Sequence, residues 1–131
     1  AQWALRHGCN PKLYLCNGVD LQGIPSEEYD VVFSTICMQH ICVHEIRQNY
    51  WREFCRVLKP GGWVSVQMGF GKESENTVGY FENHYAATAT NRGCDTRVED
   101  PADLAKDLME AGLTGFRYVL RPPGPGDYHP Q

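Results

Sequence analysis

At 131 residues, with 12 Lys and Arg against 16 Asp and Glu and a formal charge of −4 at pH 7, the chain is sized for one core and no more. Its 42% hydrophobic and 21% charged residues are globular composition, which excludes intrinsic disorder. A pI near 5.7, with no concentrated run of Lys or Arg, argues against a nucleic-acid partner.

In chain order, Trp3 to His7 reads as the last turns of a helix closed by Gly8, a residue suited to a left-handed C-cap. Asn10-Pro11 signals a turn, and Lys12 to Cys16 has strand composition up to Asn17-Gly18. Residues 22–29 form a polar connection. Tyr29 to Thr35 begins as a continuous apolar run, the pattern of a strand covered on both faces. From Val43 or His44 to Leu58 the period becomes helical, with Ile46, Tyr50, Phe54 and Val57/Leu58 on one stripe and Arg47, Gln48, Arg52, Glu53 and Arg56 facing elsewhere. Pro60-Gly61-Gly62 stops that helix in a tight turn, and Trp63 to Met68 is the next strand. Thr77 to Thr90 is expected to hold a short helix. Asp100-Pro101-Ala102-Asp103 predicts a helix start, with Leu104, Leu108 and Met109 buried and Gly112 as the stop. Gly115 to Leu120 is a further strand, and the Pro/Gly-rich tail after it holds no regular structure. Alternation of strands and helices defines an α/β class with a mostly parallel sheet.

The longest apolar run, around Val31-Val32-Phe33, is far short of the roughly 18 residues a membrane span requires. The first eight residues lack the apolar core of a signal peptide. Six cysteines (Cys9, Cys16, Cys37, Cys42, Cys55, Cys94) sit mostly in apolar segments with no CxxC pair. They are expected to be reduced core residues of a cytoplasmic protein.

Three pieces taken together carry a family resemblance: Tyr29-Asp30-Val31-Val32, then Gln39-His40-Ile41, then Arg56-Val57-Leu58-Lys59-Pro60-Gly61-Gly62. In this order and spacing they resemble a class I S-adenosylmethionine-dependent methyltransferase, well over residues 12–70 and loosely over 100–120. The resemblance implies a Rossmann-like sheet of which this chain holds strands three to six. It implies S-adenosylmethionine as cofactor and methyl transfer to a small or medium acceptor. Ligands in such sheets bind outside the carboxyl ends of the strands. The resemblance therefore puts Asp20 and Leu21 at the adenine, Ser34, Thr35, Ile36 and Gln39 along the methyl-donor end, and His40 nearby as a candidate general base.

Each residue has a plainer alternative. Asp20 would also serve as the cap of a turn, and His40 as a helix-entry packing group. Phe70, Tyr80 and Tyr85 are either substrate contacts in a covering segment, 69–99, or an aromatic minicore under a long loop. Cys37, His40, Cys42 and His44 are zinc-ligand types, but too close in one segment to surround a tetrahedral ion, so no metal is expected. No Asn/Asp-Pro-Pro-Tyr segment stands at Ser34 to Cys37, which also speaks against a nucleic-acid substrate.

Nothing in the chain resembles the family's glycine-rich cofactor turn. The expectation is a single incomplete domain over 1–131 that binds the cofactor poorly or not at all. Strand 12–16 would then lack its neighbour and leave an unpaired edge, open to a second copy of the chain. The alternative function is a non-catalytic α/β module that associates through that edge.

Overall fold

The structure, a computed structural model, describes residues 6–75, 77–84 and 95–122. Trp3 to Leu5 of the first predicted helix, Tyr85, Cys94, the end of the predicted Thr77–Thr90 helix and the tail from 123 lie outside the described residues. Strand β1 (Tyr29–Ser34) leads through a single 3-10 turn, Met38–His40, to helix α1 (His44–Val57) and strand β2 (Leu58–Val66). Three short strands follow, β3 (Gly69–Phe70), β4 (Thr77–Gly79) and β5 (Asp95–Val98), then helix α2 (Pro101–Glu110). All pairings are parallel: β1 with β2, and β5 between β3 and β4. This is an open α/β arrangement with flanking helices, a partial Rossmann-like fold.

The turn expected at Pro60-Gly61-Gly62 is a bulge inside β2. Tyr29 faces Leu58 and Val31 faces Trp63, so Lys59, Pro60, Gly61 and Gly62 all stand opposite Asp30 alone. Gly61 takes φ +83°, where side chains are strained, and a Cβ on Gly62 would meet the Asp30 carbonyl oxygen at 3.0 Å. One glycine permits the bend and the other the close approach of β1. The motif is therefore a backbone device of the fold.

The core lies between the inner face of β1–β2 and the two long helices. Met38, Tyr50, Trp51, Phe54, Tyr80, Val98, Leu104 and Leu108 form it, with Val32, Val64 and Val66 packed from the sheet. The outer face is open among the described residues: Val31 is 56% exposed, Phe33 70% and Trp63 70%. The expected two-sided cover of β1 is therefore corrected to one side, and burial alternates along the strand as it does on a half-buried sheet.

Two predicted strands do not form. Among the described residues, 12–16 and 115–120 have no ladder partner, and Leu15 is 99% exposed. Strand composition alone does not make a strand, because the backbone groups need a neighbouring edge. Of the five described cysteines, expected in the core, Cys9, Cys16 and Cys37 are exposed, Cys55 is half-buried and Cys42 is buried, and none is in a disulfide among the described residues.

Helix α2 starts as its sequence dictates. Asp100 accepts from the Ala102 N–H at 2.9 Å and Pro101 occupies the first helical position. It ends in a Schellman pair, with Leu113 N–H donating to Leu108 O at 2.9 Å and Gly112 N–H to Met109 O at 3.0 Å. Met109, expected inside, is 65% exposed.

Helix α1 departs from its amphipathic reading at one position. Arg47, assigned to the outer face, is fully buried. Its guanidinium donates to the carbonyls of Ile41 at 2.5 Å, Cys42 at 2.9 Å and Tyr80. It also lies 4.9 Å from the centre of the Tyr80 ring. Desolvation holds the Arg47 pKa below its ordinary value, opposed by the neighbouring Tyr80, Cys42 and Asp107. The segment expected to be helical after Thr77 opens as β4 and then presents Tyr80 to this arginine.

Tyr80 in turn donates its hydroxyl to Asp107 Oδ2 at 2.6 Å. Burial first, and then that hydrogen bond, pushes the phenol well above its ordinary value. The unfolded chain therefore ionises this residue at the lower pH. Its contribution to stability is complete below pH about 10 and is lost as the pH climbs beyond that. Tyr80→Phe is expected to be less stable near neutrality by about 1.5–3 kcal/mol, and to lose less than wild type between pH ~9 and ~11. Denaturant melts across that range test this, and parallel curves for the two proteins would contradict it.

Candidate active-site cleft at the strand ends

Parallel strands all deliver their carboxyl ends to one side, and the chain leaving β1 does so under strain. Ile36 has φ +51°, a left-handed backbone at a β-branched residue, and its side chain is 57% exposed. Such a conformation costs on the order of 1–3 kcal/mol. Ile36→Gly should therefore raise stability by about 1 kcal/mol after glycine's own entropic cost. A lower thermal midpoint for the variant would show that the side chain contributes packing after all.

An open cleft of about 1410 Å³ runs along β2 from Leu58 to Val66 and reaches the carboxyl end of β1, where Ser34, Thr35, Ile36, Gln39 and Phe70 line it. Five of the residues singled out from sequence thus meet in one place. Gln39 is 5% exposed and Met38 1%, so the 3-10 turn is seated in the core while its neighbours face the cleft.

His40, on the same turn, has its Nδ1 2.5 Å from Asp95 Oδ1, with 40% of the His40 side chain exposed and 3% of Asp95. The contact sets a partly exposed imidazole against a buried carboxylate. Asp95 opens β5, whose four residues are all buried. No motif announced it. The only trace is the run Asp95-Thr96-Arg97-Val98, where two charged residues two apart share one strand face.

His40 is not among the residues lining the cleft, and the remaining candidates stand elsewhere too. Asp20 lies in a turn in which the Asn17 side chain accepts from the Val19 and Asp20 N–H groups, and Asp20 Oδ1 accepts from Gln22 N–H at 3.0 Å. Leu21 N–H donates to Glu53 Oε2 at 3.2 Å, and Arg56 Nη2 donates to the Leu21 carbonyl at 3.2 Å. Arg56 also pairs with Glu53 at 2.6 Å, and its hydrogen bond holds that carboxyl below the usual carboxylate range. Asp20 and Leu21 thus flank the C-terminal half of α1. Asp20 borders a second, smaller cavity of about 290 Å³ with Gln22, Glu53 and Arg56.

Tyr80 is 5% exposed and turned into the core. His44 contacts its ring and that of Phe81, at centroid distances of 5.1 and 5.0 Å, and its Nε2 lies 2.7 Å from Asp107 Oδ2. The four zinc-type residues Cys37, His40, Cys42 and His44 do not converge: the two imidazoles pair with different aspartates. No group of three or more His, Cys, Asp or Glu able to hold a metal occurs among the described residues.

Parallel strands in open sheets, a bulged β1–β2 pair and flanking helices make this a partial α/β fold of Rossmann-like type. Residues 2–66 match the family model of a methyltransferase domain, which supports a partial class I methyltransferase domain over that part of the chain. No curated protein and no solved structure matches the chain. Among the described residues no helix is long and apolar enough to cross a membrane.

Proposed function

We propose that the protein takes part in S-adenosylmethionine-dependent methylation of a small or medium acceptor, with His40 as general base. The observation that carries this reading is the His40–Asp95 pair, 2.5 Å long, at the end of β1 where the family's cofactor and acceptor meet. When bound, the cofactor supplies an electrophilic methyl group on a sulfonium. Ser34, Thr35, Ile36 and Gln39 are the residues to hold its methionine end, and the strained backbone at Ile36 fits a segment shaped for a ligand. His40 Nε2 then accepts the proton of a hydroxyl or amine acceptor, and Asp95 steadies the imidazolium that results.

Asp20 and Leu21 are read as framing adenine. Asp20 Oδ1 holds the Gln22 N–H, and a carboxylate retains lone pairs enough for an adenine amino group as well. Residues 69–99 are read as the wall over the acceptor, with Phe70 in the cleft. Three exposed thiols, Cys9, Cys16 and Cys37, suit a reducing compartment such as the cytoplasm.

Calorimetric titration with S-adenosylhomocysteine tests the reading. Saturable binding would uphold it against the weak or absent binding that the lack of a glycine-rich turn leads one to expect, and Asp20→Ala should then weaken that binding by about 1.5–3 kcal/mol, the worth of a charge-assisted hydrogen bond. His40→Asn should bind as wild type yet transfer methyl to hydroxyl or amine acceptors about 10²–10⁴-fold more slowly. A folded chain that binds nothing would leave the second reading, a non-catalytic module. That reading is favoured by one observation: β1 pairs only with β2 among the described residues, leaving one strand edge beside the exposed Val31, Phe33 and Trp63. Light scattering on the same sample would then give the mass of a dimer.

A further inference from the structure

Burying a guanidinium costs several kcal/mol unless acceptors surround it. Arg47 meets that condition with three carbonyls. Arg97 does not. It is 8% exposed and among the described residues makes no hydrogen bond and no ion pair, and its guanidinium nitrogens, not themselves fully enclosed, open onto the cleft. It lines the cleft together with Ile36, Gln39 and Phe70.

The backbone around Arg97 is built to admit it. In the three-stranded sheet Arg97 stands between Gly69 on β3 and Gly79 on β4. A Cβ on Gly69 would come within 3.0 Å of Arg97 Nη1 and 3.2 Å of its Cδ, so the side chain lies across a glycine floor. A Cβ on Gly79 would meet Glu73 Oε2 at 3.0 Å, so that carboxylate borders the opposite flank without reaching ion-pair distance of Arg97. Asp95, two residues earlier on the same strand face, is about 7 Å away by strand geometry and is engaged by His40. The result is a largely buried guanidinium fork opening onto a cleft, one strand repeat from Asp95, the partner of the proposed base.

We propose that Arg97 is the recognition group for a carboxylate or phosphate carried by the methyl acceptor. This deepens the functional reading above and rests on it for the word acceptor; the anion site itself stands on the burial and isolation of Arg97. Acceptors are thus anionic molecules whose hydroxyl or amine lies within a few bonds of the acid group, close enough to reach His40 while the acid is held.

The test is thermal denaturation of wild type, Arg97→Met and Arg97→Lys, with inorganic phosphate or benzoate added against chloride at equal ionic strength. Wild type should gain stability saturably. Arg97→Met should bind phosphate at least about tenfold more weakly, since a bidentate charged contact is gone, with Arg97→Lys between. In anion-free buffer Arg97→Met should be as stable as wild type or more so, because an unpaired buried charge has been replaced by a hydrophobe. Equal anion responses in wild type and Arg97→Met, or a less stable Arg97→Met in anion-free buffer, would overturn the proposal.

The cofactor's own carboxylate is the other source of such an anion. If Arg97→Met weakens S-adenosylhomocysteine but not 5′-methylthioadenosine, which lacks the amino-acid end, the acceptor assignment falls. Equal affinities for both upholds it. A phosphate response in a chain that binds neither nucleoside upholds the anion site and removes the methyl-transfer reading.

Discussion

Asp107→Ala is expected to lower the unfolding free energy by about 3–5 kcal/mol, the largest effect of any single polar substitution in this molecule. Asp107 is 6% exposed and gathers three donors from two other segments: Tyr80 OH at 2.6 Å, His44 Nε2 at 2.7 Å and Gln48 Nε2 at 3.3 Å. Alanine leaves the first two buried without an acceptor and opens the junction between α1, α2 and the segment after β4. Asp107→Asn keeps the shape and one carbonyl oxygen, and should cost about half as much. Guanidinium melts of the three proteins decide the matter. A loss below about 1 kcal/mol for alanine would mean that water reaches the junction and replaces the carboxylate.

Arg47→Met should cost about 2–4 kcal/mol, and here two effects compete. Removing a buried cation relieves its desolvation, which taken alone would favour methionine. Against this, the carbonyls of Ile41, Cys42 and Tyr80 lose their donor together. Each unsatisfied buried carbonyl costs about 1–3 kcal/mol, so three outweigh the gain. Lysine cannot replace the fork, because one ammonium does not span acceptors on separate segments. Arg47→Lys should therefore fall near Arg47→Met, and a lysine variant as stable as wild type would show that charge matters here and geometry does not.

Both substitutions act at places where sequence reading was least informative. The period of Tyr50, Phe54 and Val57 located α1 to within a residue or two, because apolar side chains every three to four positions have one use in a soluble helix. The Asp100-Pro101 start was equally legible, since capping demands particular residues, whereas Pro60-Gly61-Gly62 marked the end of the helix correctly but formed a bulge inside β2 and not a turn. Arg47 and Asp107 were not. A charged residue on a helix reads as solvent-facing until its partners are known, and those partners lie up to 63 residues away.

The same limit applies to the site. Ser34, Thr35, Ile36 and Gln39 follow directly from a strand end, and they share the cleft. Asp95 and Arg97 sit in a four-residue strand whose polarity conceals that it is wholly buried. Strands 12–16 and 115–120 illustrate the converse: apolar alternation records a capacity for pairing, and only an available edge turns it into a ladder.

The way α1 begins bears on how the chain reaches this fold. Its N-cap is Val43, which has no side-chain oxygen to offer. The first two N–H groups are instead taken by the Glu82 carbonyl at 2.8 Å and the Asn83 side chain at 2.9 Å, the latter 38 residues ahead. A helix whose nucleating end is sealed by a distant segment cannot finish its first turn by itself. During synthesis α1 would stay frayed at His44 and Glu45 until Asn83 has left the ribosome, and closing that long loop falls on the slow side of assembly. Refolding rates should accordingly respond to substitutions at Asn83 more than its exposed position suggests.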